Sequence, residues 1–160
     1  MAEFVSDGGK LICFDDSCEM VIKRFALPMK NVLARLKRSE FYNPGSIVNL
    51  EVDTRAALAR GLRDETAAYF TNSSAFDILS EPPASVGGQM RPNQIKIIAK
   101  YAAKDALLSG WMVGEKYLNG KAALVETTYG KGKIILFAFR PQHRAQTWAT
   151  FPFIFNVLEK

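Results

Sequence analysis

The stretch AALVETTYGKGKIILFAF, residues 122–139, constrains this chain more than any other. Two apolar runs flank Tyr129, Gly130, Lys131 and Gly132. Apolar runs joined by a short glycine-containing break form a hairpin, because glycine reaches the positive φ that tight turns need. The spacing predicts two adjacent antiparallel strands, and so a sheet at the centre of the fold. Another strand is expected much earlier. Gly8 and Gly9 turn the chain into LICF, residues 11–14, a short continuous apolar run. That pattern suits a strand buried on both faces, as in a parallel sheet.

DDS follows, and then CEMVIKRFAL. Asp15, Asp16 or Ser17 is expected to cap a helix there, with Glu19 in its first turn, and Pro28 ends it. Met20, Val21, Phe25 and Leu27 would form its apolar side. MKNVLARLKRSEF, residues 29–41, predicts a second, basic helix or turn. SIVNLEVD (46–53) alternates as a strand with one wet face, and a capped single turn closes at Gly61. AAYF (67–70), AFDIL (75–79) and IKIIAKYA (95–102) are further strands, and 107–120 is a turn-rich connection. Residues 81–94, with three prolines and two glycines, are expected to be a surface loop. The end, TWATFPFIFNVLEK, predicts a helix with Thr150 as N-cap and Pro152 in its first turn. Phe151, Ile154, Phe155 and Leu158 would share its buried face.

The chain has 160 residues, 48% hydrophobic and 23% charged, which suits one domain (1–160) with a real core. A formal charge of +5 favours anionic partners. The charge is spread along the chain, without a dense basic run interleaved with aromatics, so nucleic-acid binding is not expected. No apolar run approaches the ~20 residues of a membrane-spanning helix, so no membrane partner is expected. MAEFVSDGGK lacks the basic and apolar regions of a signal peptide. Cys13 and Cys18 are too few and too close for a disulfide framework.

Four stretches invite a chemical reading. LICF-DDSC-EMVIK has the strand–turn–helix order that holds a nucleophile above a sheet, with Ser17 and Cys18 near the turn. The glycine flanks of such an elbow are missing. Asp15, Asp16 and Glu19 would raise a thiol's pKa rather than lower it. A capping Ser17 and a packed Cys18 are the simpler reading. A catalytic zinc needs about three ligands; one histidine and two cysteines do not outline such a site, and no metal or other cofactor is expected in this chain. YGKGK joins strand to strand, so it reads as a turn and not as a phosphate loop. FRPQHRAQT holds the only histidine, His143, between Arg140 and Arg144. His143 offers a base, and the two arginines offer a bidentate clamp for a carboxylate. The plainer alternative is a polar stretch that ties the last helix to the sheet.

FVSDGGKLICFDDSCEMVIKRFALPMKNVL together with GKGKIILFAFRPQHRAQTWATFPFIFNVL resembles one module. It is similar to the C-terminal, class I glutamine amidotransferase-like domain carried by a branch of the zinc carboxypeptidase (carboxypeptidase A-like) family. EFYNPGSIVNLEVDT, AAYFTNSSAF and LLSGWMVGEKYLNGKAALVE fit as well, so the resemblance covers nearly the whole chain. It implies an α/β, flavodoxin-like three-layer sandwich that lacks its first strands here. It also implies an upstream peptidase domain, absent from this chain, which would hold the zinc. Active amidotransferases end a late strand in a motif like F-H-P-E; here the strand ends F-R-P-Q, with Arg140 and Gln142 in the two catalytic places.

Three functions follow as expectations. One is a non-catalytic accessory domain that packs against, or presents substrate to, the peptidase domain, with Arg140, Gln142, His143 and Arg144 binding an anionic small ligand or peptide carboxylate. Another is a divergent hydrolase or amidase using Cys18 or Ser17 with His143. The third is an interaction module whose open sheet edge invites self-association.

Overall fold

The computed structural model describes residues 1–80 and 95–159. The elements run α1 (Ala2–Ser6), β1 (Lys10–Phe14), α2 (Ser17–Arg24), β2 (Met29–Asn31), β3 (Ser46–Val52), β4 (Glu65–Phe70), β5 (Phe76–Ile78), β6 (Lys96–Tyr101), β7 (Leu107–Gly110), β8 (Ala122–Tyr129), β9 (Gly132–Phe137) and α3 (Phe151–Leu158). The architecture is mixed α/β: one nine-stranded open sheet and few helices. Its main order is β1-β9-β8-β6-β3-β4, with β2, β5 and β7 attached beside that path. The pair β1–β9 is parallel; every other ladder among the described residues is antiparallel.

The β8–β9 hairpin forms as the sequence predicts, with Tyr129 opposite Gly132 and Gly130 at φ 62. Gly132 is required for packing: a Cβ there would collide with the carbonyls of Val5 and Gly9. The core is continuous from Val5 to Val157 and includes Phe25, Phe70, Tyr101, Phe137 and Phe153.

Five expectations change. Leu107–Gly110, expected within a turn-rich connection, is a strand that pairs with β3. β1 pairs on one side only among the described residues, and of its apolar residues only Cys13 is fully buried. It is an edge strand, although the parallel direction was legible. In α2, Cys18, Val21 and Ile22 are buried while Met20 is exposed. No second helix forms over 29–41. Met29–Asn31 pairs with β5 instead, and the Asn31 carboxamide oxygen accepts from the Leu33 and Ala75 N–H groups. Sheet pairing satisfies the side of this strand that faces β5, whereas an isolated short basic helix would be marginal. Finally, α3 is rotated from the predicted face: Phe153 and Val157 are buried, whereas Phe155 is 62% exposed. That helix is apolar nearly all round, so its pattern could not choose a face. Tertiary contacts choose it, through the Phe153–Phe137 ring contact and the Asn156 amide donating to the Leu58 and Arg60 carbonyls. The loop expected at 81–94 lies outside the described residues.

Candidate functional site

The turn between β1 and α2 is where a nucleophile elbow would sit. The residue at its tip is Asp15, in the left-handed region at φ 53 and only 2% exposed. Aspartate and asparagine tolerate this conformation better than other non-glycine residues. The Asp15 N–H donates to the Phe137 carbonyl (2.8 Å), which fixes the tip against the end of β9. Three positions past Phe137, Arg140 brings its Nε to 2.6 Å from Asp15 Oδ2. Among the described residues no donor meets hydrogen-bond geometry at either Asp15 oxygen, so the close Arg140 contact acts chiefly as charge against charge. Burial pushes the Asp15 carboxyl up to about 6, despite the opposing pull of Arg140.

The two expected nucleophiles are engaged elsewhere. The Ser17 hydroxyl accepts from the Phe14 N–H (3.0 Å) and donates to the Phe14 carbonyl (2.7 Å). It closes the last residue of β1 and does not cap α2 with its side chain. The Cys18 thiol is fully buried and donates to the Phe137 carbonyl at 3.2 Å. Burial first, and then the nearby Cys13, Asp15 and Asp16, push it far above the usual thiol range. This is the direction the carboxylate-rich turn predicted. Cys13 is also raised, chiefly by burial.

His143 stacks on Tyr69 of β4, with ring centroids 4.6 Å apart and planes 15° from parallel. No hydrogen bond joins it to Ser17 or Cys18 among the described residues. Gln142 and Arg144 are exposed. Arg144 and Ala145 both take positive φ, 48 and 54, making a sharp surface turn. The segment does tie the last helix down, through Thr150: its hydroxyl lies 2.7 Å from the Pro141 carbonyl and 2.8 Å from that of Thr147. So the structure joins Arg140 to the elbow and leaves Gln142, His143 and Arg144 apart from it.

Sequence reasoning missed Asp15 as the central group, having placed it among the caps. The available signal was its position, directly after an apolar strand and before a helix, where the tip of an elbow falls. A polar cleft of about 290 Å³ opens beside this turn, lined by Asp16, Asn31, Arg38, Asn43 and Ser74 among others. Its polar groups largely satisfy one another: the Asn31 amide donates to the Ser74 hydroxyl (3.2 Å) and the Asn43 amide to the Ser46 hydroxyl (2.6 Å). Among the described residues, no group of three or more His, Cys, Asp or Glu side chains is placed to hold a metal ion.

No family model matches the chain, and no curated protein matches its sequence. Solved structures do match its fold. A β-galactosidase from Bacillus circulans sp. alkalophilus aligns over 98% of this chain at TM-score 0.52 and 14% identity. A ThuA-like protein from Bacteroides uniformis aligns over 97% at TM-score 0.55 and 10% identity. A cytoplasmic protein from Salmonella typhimurium aligns over 98% at TM-score 0.55 and 13% identity. The chain spans 19% of the β-galactosidase and 59% and 56% of the other two. At such identities the likeness concerns the fold alone.

Proposed function

We propose that this chain is a non-catalytic accessory domain, and that the turn where a nucleophile would sit has become a structural contact. One observation carries the reading: Arg140, at the position where the resembled family places its catalytic histidine, spends its guanidinium on the buried Asp15 at the elbow tip. The buried Cys18 thiol, committed to the Phe137 carbonyl, supports it further. A thiolate is the nucleophilic form, and burial with Cys13, Asp15 and Asp16 outweighs the one backbone hydrogen bond that favours it.

The finer fold assignment belongs to the same proposal. We read the sheet as a divergent flavodoxin-like, amidotransferase-like domain whose first strands lie on preceding polypeptide. The parallel β1–β9 pair, the helix that follows β1 and the open outer edge of β1 support this. The sequence resemblance extends it: the catalytic partner would be a zinc carboxypeptidase-like domain on the same polypeptide. In that arrangement Gln142 and Arg144, exposed beside the stacked His143, are the groups left to meet an anionic ligand.

Two tests separate the parts. Iodoacetamide at pH 8 is expected to leave Cys18 unmodified in the native protein and to modify it in urea. Rapid native alkylation, or ester hydrolysis lost in Cys18→Ala, would restore the hydrolase reading. For the parent, the reading frame upstream of Met1 is expected to stay open and to encode an H-x-x-E motif with a later histidine. A stop codon just upstream refutes the peptidase partnership and leaves the reading of the elbow intact.

A further inference from the structure

Along α2 runs a second opening, a cavity of about 850 Å³ between α2, β2 and the residues after β2. Small-molecule sites commonly fall between about 300 and 1,000 Å³, so the space is ample for a ligand. Its apolar lining is backed by the buried Ile22, Leu27 and Met29, and the half-buried Val32 and Leu79 are presented to the opening. Its rim is cationic, with Lys23, Arg24, Lys30 and Arg35 against a single acid, Glu19. Glu19 is already held by Lys23 at 2.9 Å, and Lys30 lies 4.0 Å from Asp77. Among the described residues no ion pair involves Arg24 or Arg35.

One wall of this groove is a sheet edge. Among the described residues β2 pairs with β5 alone. The Val32 N–H donates to the Ala75 carbonyl and the Leu79 N–H to the Pro28 carbonyl. Residues 28, 30 and 32 therefore turn their backbone toward β5, and strand alternation turns that of Met29 and Asn31 away from it. The Met29 N–H is taken by the Leu27 carbonyl, so among the described residues the Asn31 N–H and the Met29 and Asn31 carbonyls are left along this edge. An edge strand facing a helix across an apolar floor is the geometry that admits an extended peptide as an added strand.

We propose that this groove binds an extended acidic peptide that pairs with the β2 edge, sets apolar side chains on the floor and presents carboxylates to Arg24 and Arg35. The argument for that occupant is charge: two arginines without an ion pair among the described residues, Arg24 on α2 and Arg35 after β2, match a peptide with spaced carboxylates better than one anionic head group. The inference stands independently of the accessory-domain reading.

The test uses the whole chain and fluorescence anisotropy. The probe is a C-amidated hexapeptide alternating glutamate and leucine, labelled with fluorescein at its N-terminus. It is expected to bind saturably, and at least tenfold more tightly than a glutamate–serine or a lysine–leucine version. Methylating the peptide's backbone amides is expected to weaken binding at least tenfold, as is the double variant Arg24→Glu/Arg35→Glu. Ala34→Trp, at an exposed lining position, is expected to block the groove while the urea midpoint stays unchanged. The proposal is overturned by an absence of saturable binding, by equal affinity for the lysine–leucine probe, or by indifference to amide methylation. Binding of laurate without binding of the peptide would make this an amphiphile site and overturn it too.

Discussion

Replacing Asp15 by Asn isolates the energetics of the elbow. The backbone at this position is left-handed, which asparagine accepts, so the change adds no backbone strain. The carboxyl of Asp15 sits at about 6 against an ordinary 3.8, because burial outweighs the help from Arg140. The folded state therefore holds this proton more tightly than the unfolded chain does. The contribution is fully present below about pH 4 and is lost as pH rises to about 6. A gap of about two pH units corresponds to about 3 kcal/mol. Above pH 6 the native protein carries a buried, poorly hydrogen-bonded charge, and Asn removes that charge at nearly constant shape. Arg140, with its side chain 42% exposed, can turn to solvent. Asp15→Asn is expected to be more stable than the parent by about 1–3 kcal/mol at pH 8 and equal to it at pH 4. With a urea slope of about 2 kcal/mol per molar, the midpoint at pH 8 rises by about 0.5–1.5 M. Arg140→Leu is expected to do the opposite at pH 8, since it leaves the carboxylate uncompensated. A loss of stability in Asp15→Asn at pH 8 would show that the ion pair outweighs desolvation, and the reasoning would fail.

Other outcomes follow from packing. Phe153→Ala is expected to cost about 3–5 kcal/mol in urea unfolding, while Phe155→Ala, on the same helix, stays within about 0.5 kcal/mol. Thr150→Val should cost about 1–2 kcal/mol, because a fully buried hydroxyl that meets two carbonyls is lost. Gly132→Ala should cost about 1–3 kcal/mol and expose the first residues to proteolysis, since its methyl displaces the carbonyls of Val5 and Gly9.

The sequence was most informative where local chemistry and tertiary structure agree. Residues 122–139 carry both the apolar runs and the turn glycine, and the hairpin forms there. LICF was legible as a strand and as parallel, but its apolar run overstated its burial, because composition does not report how many neighbours a strand has. The terminal helix was legible in extent and not in rotation. When Phe151, Phe153, Ile154, Phe155 and Val157 are all apolar, only the partner surface decides which of them turn inward. Residues 29–41 misled because local propensity allowed a helix, whereas a pairing with Phe76–Ile78, more than forty residues away, gives a strand. At the candidate site, the direction in which the Cys18 thiol shifts was foreseeable from its acidic neighbours, but its main cause, burial, and its bond to the Phe137 carbonyl were not. The Asp15–Arg140 contact was not, since it joins residues 125 positions apart (15 to 140) that no local pattern links.

The parallel pairing of β1 with β9 also sets a timetable for the molecule's synthesis. Lys10 lies opposite Lys133, 123 positions later (10 to 133). At about 5–20 residues per second, β1 leaves the ribosome roughly 6–25 s before its partner exists. Through that interval KLICF is an apolar strand without its β9 partner, carrying the Cys13 thiol and followed closely by that of Cys18. KLICF is most exposed to wrong pairing then, and the need for chaperones should be concentrated in that interval.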